Sequence, residues 1–408
     1  MNTNIEPREA KPSACHLARP SSLWSPQARL DFWGLSGAIT LVGLALGTVL
    51  PLSVLRLEQA GHQSSLIGAM MALHALGLVL AMPLTAFAVV HLGARRALTW
   101  SSLGAALVCL AMQNAQTLTE LSAALLLLGV LLGLAFNLVE TWVNDILPEA
   151  ERGRLLAIHC TIFTLFQLSG PLLLQVLPAE HAYQLSGLLL MLTLPACRVL
   201  SDRALDAETG SDLPRAWWQI LLSAPAVVWG TVLFALFDAL VLGILPLYAR
   251  LEGLSKADAL LSASVVLAGD TALEWVIGAL ADRYGRLPMQ VLCGLILLVG
   301  APLLPLAIGH SAWWPLLFVI GGAAGGIYVL SLMASGQRFS GRGLLQMTSL
   351  LGASWGAASC AGPLLTGVLM QVNLTWALPG VITTCTAILL LALVWEEARS
   401  PVAGVEPA

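Results

Sequence analysis

Three stretches of this chain hold no Asp, Glu, Lys or Arg: residues 59–94, 287–337 and 343–395, which are 36, 51 and 53 residues long. Few folds accept such runs. A water-facing surface needs charges, and ordinary soluble domains carry about 25% of them. Here the charged share is 10% of 408 residues. A helix crosses a bilayer with roughly 20 apolar residues, so each of the two longest runs has room for two spans joined by an uncharged turn. The hydrophobic share of 58% and the mean hydropathy of +0.84 agree. The apolar stretches are continuous rather than alternating, which excludes a membrane β-barrel. A soluble globular enzyme, a disordered chain and a nucleic-acid binder are excluded too. The net charge of −4 gives no signal for a polyanionic partner. What remains is an all-α membrane protein.

Apolar runs between charges and turn residues predict twelve transmembrane helices, at 32–55, 64–90, 97–113, 119–142, 154–177, 182–200, 219–248, 258–281, 288–308, 313–334, 343–370 and 376–395. The most charged stretch between spans is 201–217, SDRALDAETGSDLPRAW. It reads as a cytoplasmic linker. The expected organisation is a cytoplasmic tail over 1–31, a six-helix bundle over 32–200, the linker over 201–217, a second six-helix bundle over 218–396 and a cytoplasmic tail over 397–408. The polar first 30 residues carry no signal-peptide pattern. The first span is therefore expected to act as its own uncleaved insertion signal. Seven cysteines are scattered without a CxxC pair and read as small apolar core residues, so no metal or cofactor is expected.

The basic residues test the span count. With the N-terminus inside, 16 of the 19 Lys and Arg fall on cytoplasmic segments, and only Arg56, Arg250 and Lys256 fall outside. That bias predicts both termini in the cytoplasm, and an odd number of spans would destroy it. Trp33, Trp217, Trp218, Trp313, Trp314, Trp376 and Trp395 sit at predicted span ends, where an amphipathic ring suits the interface. Trp142, Trp229, Trp275 and Trp355 lie deeper and read as packing residues.

The two halves repeat. A shift of 192 residues carries Gly170-Pro171-Leu172-Leu173 onto Gly362-Pro363-Leu364-Leu365. It carries Gly129 and Gly133 onto Gly321 and Gly325, and Gly93 onto Gly285. Three separate segments agree at one offset close to half the chain. A pair of similar bundles is a transporter architecture, with a site between them that faces either side of the membrane in turn.

The loop after the eighth span, Gly278-Ala-Leu-Ala-Asp282-Arg283-Tyr-Gly285-Arg286, resembles the GxxxDRxGR loop of the major facilitator superfamily. In that family the loop acid caps a helix start in the other half and helps hold the cytoplasmic side shut. The resemblance implies this role for Asp282, near the start of the fifth span. The equivalent first-half loop has Ala86, Val90, Gly93, Arg95 and Arg96, so its acid is missing and the clamp is expected to be lopsided. A narrower likeness lies at the end of the fourth span. Glu140-Thr-Trp142-Val-Asn144 is similar to the acid-Ser-Trp-x-Asn stretch of the YcaD-like bacterial transporters. Leu273-Glu274-Trp275 looks like the same branch, with Glu274 where Gln is expected. Ser169-Gly170-Pro171 in the fifth span is a degraded form of a GxxxGPxxGG pattern common in proton-driven exporters, and it reads more readily as small-residue packing with a proline bend.

Acids within predicted spans are the sharpest functional signal. Asp238 lies in the seventh span, and Asp270 and Glu274 lie four residues apart on one face of the eighth. Glu140 lies near the cytoplasmic end of the fourth, and no Lys or Arg lies deep in any span. A carboxylate at the membrane centre costs at least ~2.5 kcal/mol. With no cationic side chain to offset the pair, at least one of Asp270 and Glu274 is expected to hold a proton. Such a carboxyl carries protons if its surroundings change between outward and inward states. Otherwise a cationic substrate supplies the missing charge, or a neutral acid simply holds helices together through the backbone. The repeat sets Leu78 opposite Asp270 and Met82 opposite Glu274, which confines the pair to the second half.

The remaining candidates divide between relay and gate. His74, midway along the second span, is the only deep basic candidate in this reading, either as a proton relay or as a packed polar residue. Asn137 lies one turn before Glu140 and is placed to meet substrate. Glu140 and Asp145 are expected to pair with Arg95, Arg96 or Arg152 as cytoplasmic gate salt bridges.

The expected function is secondary transport of a small organic solute by alternating access, coupled to protons and leaning to efflux. Uptake of a nutrient by proton symport stays open, as do a lipid flippase and a non-transporting sensor. The expected partners are the solute, protons and the lipid bilayer, with no nucleic acid. No P-loop occurs, so ATP is not expected to drive the chain. No enzymatic constellation is found. The chain is expected to be a monomer in the bacterial inner membrane.

Overall fold

The structure is a computed structural model. It describes residues 25–148, 151–201, 222, 224–338 and 341–399, apart from the side chains of 152, 153, 179, 180, 336, 337, 341–346, 348 and 349. The predicted linker, both tails, Trp217 and Trp218 lie outside the described residues, as does the side chain of Arg152.

The described residues fold into helices throughout. In chain order they are α1 Pro26–Gln59, α2 Ser64–Leu92, α3 Ala94–Asn114, α4 Leu118–Ile146, α5 Arg152–Val176, α6 Ala179–Met191 and α7 Thr193–Val199. The second half contains α8 Pro225–Gly243, α9 Leu245–Leu251, α10 Lys256–Tyr284, α11 Arg286–Ala307, α12 Trp313–Arg338, α13 Gly341–Val372 and α14 Leu374–Arg399. Most run a turn or so beyond the predicted apolar limits, because local capping continues them into polar sequence. Ser25 accepts a hydrogen bond from the Ala28 N–H at the start of α1, and Thr117 and Glu120 form a capping box at α4.

Two predicted spans are broken. The sixth divides into α6 and α7 at Leu192, three residues before Pro195. The seventh divides into α8 and α9 at Ile244, and Pro246 opens the new helix. Among the described residues, ten helices are long and apolar enough to cross a membrane. The other two predicted spans are α3 and α13, helical over 21 and 32 residues. Two arginines and a cluster of Ser and Thr dilute the hydropathy of α3.

The 192-residue repeat is present in the backbone. Shifting α2 by that interval gives the limits of α10 at both ends, and shifting α3 gives the start of α11. The tight helix contacts repeat residue by residue. A Cβ on Gly77 would strike the Leu126 carbonyl and one on Gly129 the His74 carbonyl. The counterparts Gly269 and Gly321 meet the Phe318 and Val266 carbonyls, at the same offset. These glycines let α2 lie against α4, and α10 against α12, at backbone distance. Gly93 and Gly285 end α2 and α10 with φ of 79° and 92°, a left-handed conformation suited to glycine.

The halves meet along α2 with α13 and along α5 with α10. The end of the molecule away from the chain termini is held closed. Glu58 on α1 faces Arg250 on α9 at 3.7 Å, and Gln371 on α13 donates to Gln63 and to Ser65 on α2. Nearby, Gly68 and Gly367 bring α2 and α13 together where neither has room for a Cβ. At the end that carries the termini, Arg338 pairs with Glu396, which also accepts the Ala226 N–H at 3.1 Å. This ties α12, α14 and α8 within the second half.

Candidate functional site

A cavity of about 70 Å³ lies between the halves. Its walls come from α1, α2, α5, α8 and α13, and its polar points are His74, Gln167, Asp238 and Ser359. Each polar point has a local origin. Asp238 lies one helical turn after Phe234 on α8, on the face turned to the first half. Ser359 on α13 donates to the Ala235 carbonyl at 3.4 Å. Gln167 is 5% exposed on α5, beside the contact where Gly47 of α1 meets the Gln167 backbone. The volume is enough for a few waters.

His74 and Asp238, from opposite halves, thus line one space. His74 is 3% exposed, and its ring nitrogens make no hydrogen bond of good geometry among the described residues, with the Leu125 backbone within reach.

Asp270 and Glu274 are half-buried on α10. Asp270 fits into a notch on α12: a Cβ on Gly325 would fall on its Oδ1. Gly133 offers the matching notch in the first half, where Leu78 and Ala81 fill it. Asp270 lies within electrostatic reach of Glu274 and Asp238. Glu140 and Glu274, one from each half, are both within reach of Cys160 and Tyr328. Cys160, next to the buried His159 on α5, is exposed. The four predicted acids therefore border one region, with no lysine or arginine in the middle of any helix that lines it.

Several expectations need correction. Glu140 was expected to meet Arg95, Arg96 or Arg152; it has a partner not foreseen, His159 of α5, whose Nε2 lies 3.2 Å from Glu140 Oε1, while the side chain of Arg152 lies outside the described residues. His159 is fully buried, and its Nδ1 shares a hydrogen bond of 2.9 Å with Ser36 Oγ. His74 is therefore not the only basic candidate within the helices. The reason is geometric: α5 packs closely on α1, which places His159 between Ser36 and the last turns of α4. Asn137 donates to Thr85 Oγ1 on α2 at 3.4 Å, a contact within the first half. Among the tryptophans, Trp313 is buried, with its Nε1 donating to Ser262, rather than lying at an interface. Trp275 is 57% exposed rather than packed, and Trp355 lines the cavity.

At the gate, Arg95 and Asp145 each have a partner, while Arg96 and Asp145 are exposed. Arg286 donates to Gln290 at 3.4 Å, and Gln290 donates to Ser331 at 3.1 Å. Arg283 lies over the Tyr284 ring, and Asp282 is exposed. A Cβ on Gly278 would meet nothing within 4 Å. The side chains at the start of α5, which Asp282 was expected to approach, lie outside the described residues.

Sequence reasoning passed over His159, Gln167, Ser359 and Tyr328. The signal for the first two was available, as the imidazole and the first carboxamide in an otherwise mostly apolar fifth span. Tyr328 and Ser359 had none, because their neighbours come from other helices.

Two similar bundles, glycine-mediated contacts repeated at one offset and a polar cavity between the halves define a membrane transporter fold. The chain belongs to the Major Facilitator Superfamily, whose family model matches residues 35–342 and 228–407. It is 27% identical over 295 residues to the MFS-type transporter YcaD of Escherichia fergusonii, covering 71% of this chain and 75% of that protein. It is 26% identical over 246 residues to an MFS-type transporter of Yersinia enterocolitica, a match spanning 60% of this chain and 63% of the relative. In fold it is similar to the nucleoside transporter NupG, with a TM-score of 0.70 at 12% identity over 92% of this chain and 99% of that one. A bacterial homologue of the human lysosomal transporter Spinster aligns with a TM-score of 0.67 at 13% identity, over 92% and 96%.

Proposed function

We propose that this chain is a secondary transporter that exports a small organic solute from the cytoplasm in exchange for protons, by alternating access. The observation that supports this most is the gathering of Glu140, Asp238, Asp270 and Glu274 around one space between the halves without a lysine or arginine among them. Acids in that setting are tolerated when they hold protons or when a cation neutralises them. Both events are steps of a proton-for-solute exchange. The contacts closing the far end, together with the exposure of Cys160, fit a state that faces the side of the chain termini. The positive-inside bias puts that side in the cytoplasm. In this reading the chain works as a monomer in a bacterial inner membrane, with residues 32–200 and 218–396 as the two moving bundles.

The test is transport in proteoliposomes under an imposed pH gradient, with a set of organic cations, neutral amphiphiles and nucleosides. Wild type should move at least one solute against its own gradient, and Asp270→Asn and Glu274→Gln should lose the gradient-driven component. Full flux in both neutral variants, or no flux of any solute in wild type, refutes the proposal.

A further inference from the structure

One feature of the central region is not used by proton coupling. Phe234, Tyr328 and Trp355 form a continuous aromatic wall. Phe234 and Tyr328 stack at 4.8 Å with 13° between planes, and Trp355 meets them edge to face at 5.6 and 5.2 Å. The three rings come from α8, α12 and α13 of the second half. Phe234 is 9% exposed and stands behind the other two, which are half-buried. Trp355 forms part of the cavity wall, and Tyr328 lies within electrostatic reach of Asp238, Glu274 and Glu140.

Aromatic faces are negative and attract cations, most of all where water is excluded. Carboxyls around the same rings add to that attraction. The wall also presents a flat apolar surface that a simple metal ion or hydronium would not need. A sugar or a phosphate would find few donors and no positive charge here. The pairing of ring faces with uncompensated acids therefore selects one ligand chemistry.

We propose that Tyr328 and Trp355, oriented by Phe234 and flanked by Asp238 and Glu274, recognise a bulky organic monocation with an apolar or aromatic body. The inference names the substrate class for the transport reading above and rests on that reading for its biological use. Its test does not, because binding is measured without a gradient.

The full chain, purified in detergent, is titrated with radiolabelled tetraphenylphosphonium and ethidium, and with tetraphenylborate, an anion of almost the same shape. Protein-free micelles give the background. Wild type should bind at least one of the cations saturably and should not bind the borate. Trp355→Leu and Tyr328→Leu, which keep apolar bulk but lose the ring, should weaken cation binding about 5- to 30-fold each. Trp355→Phe and Tyr328→Phe should stay within about 3-fold of wild type. Monodispersity and thermal unfolding confirm that each variant is folded. Equal binding of cation and anion overturns the proposal, as does binding by the leucine variants at wild-type strength. So does absence of saturable binding of both cations to folded wild type. If cations bind as expected but no pH gradient drives flux, the transport reading fails and this assignment stands. If gradient-driven flux of some neutral solute is found without cation binding, the reverse holds.

Discussion

Filling the notch at Gly325 separates packing from coupling. A methyl group there would fall on Asp270 Oδ1, so Gly325→Ala must push the carboxyl out of its place between α10 and α12. The repeat supplies a matched control. A methyl at Gly133 would lie 2.7 Å from the Ala81 Cβ and 3.1 Å from the Leu78 Cα, a shallower overpacking at the matching place with no acid involved. Overfilling a packed site costs about 1–3 kcal/mol. Both variants should therefore lose a few degrees of apparent melting temperature in detergent. Their transport should diverge. If the same cost falls on the position from which Asp270 takes up and gives back its proton, gradient-driven flux falls about 5- to 150-fold. The assay compares pH-gradient-driven flux with gradient-free exchange of the same solute in proteoliposomes, which cancels differences in reconstitution. Gly325→Ala should lower the ratio, and Gly133→Ala should leave it unchanged. Equal loss of the ratio in both would show that only helix packing matters at this crossing, and the coupling role of Asp270 would be refuted.

Two further outcomes follow from the contacts around the site. His159, itself fully buried, holds the partly exposed Glu140 on one side and the buried Ser36 on the other. His159→Leu leaves both polar partners unmatched and should cost about 1–3 kcal/mol, read as lower thermal stability in detergent, whereas His159→Gln should recover most of it; equal stability of the two would remove the hydrogen-bonding role. The Glu58–Arg250 pair is partly exposed, so Arg250→Ala should weaken closure of the far end by only about 0.2–1 kcal/mol. Alkylation of Cys160 by a charged maleimide, measured with the other cysteines replaced, should slow by at most about 5-fold as molecules leave the present state; an unchanged rate would show that the pair does not bias the equilibrium.

The helical layout was readable in the sequence because the bilayer imposes it. Charge-free runs mark spans, and the 192-residue offset matches actual backbone contacts at Gly77, Gly129, Gly269 and Gly321. The breaks at Leu192 and Ile244 were not foreseen, although Pro195 and Pro246 were visible, because proline within membrane helices is often tolerated, as at Pro83 and Pro171. The acids were legible for their cost. Their neighbours were not: the pairing of Glu140 with His159, and the wall of Phe234, Tyr328 and Trp355, join helices far apart in the chain. No periodicity within a single helix carries that information. Trp355 shows the limit most plainly, since depth alone made it a packing residue and only the position of α13 beside α8 turned it to the cavity.

The division of labour between the halves bears on the direction of exchange. The repeat preserves the scaffold, yet replaces Leu78 and Met82 of the first half with Asp270 and Glu274 in the second. In the present state Glu140 of the first half and Glu274 of the second share Tyr328 and Cys160 as neighbours. Closing the halves at this depth brings those acids closer together, which costs repulsion unless something neutralises them. On the proposed reading, protons and an organic cation are the two neutralising agents, and they compete for the same carboxyls. An empty, ionised site then opposes that closure. A transporter that avoids returning empty and ionised, and that accepts either proton or cation but not both, is obliged to exchange one for the other. Symport would require a second, independent place for the proton. His74, which lines the same cavity as Trp355 but from the first half, is the residue whose replacement distinguishes the two cases. His74→Leu should leave exchange of cation for proton running, and loss of gradient coupling in that variant alone would move the proton site to the first half and reverse the argument.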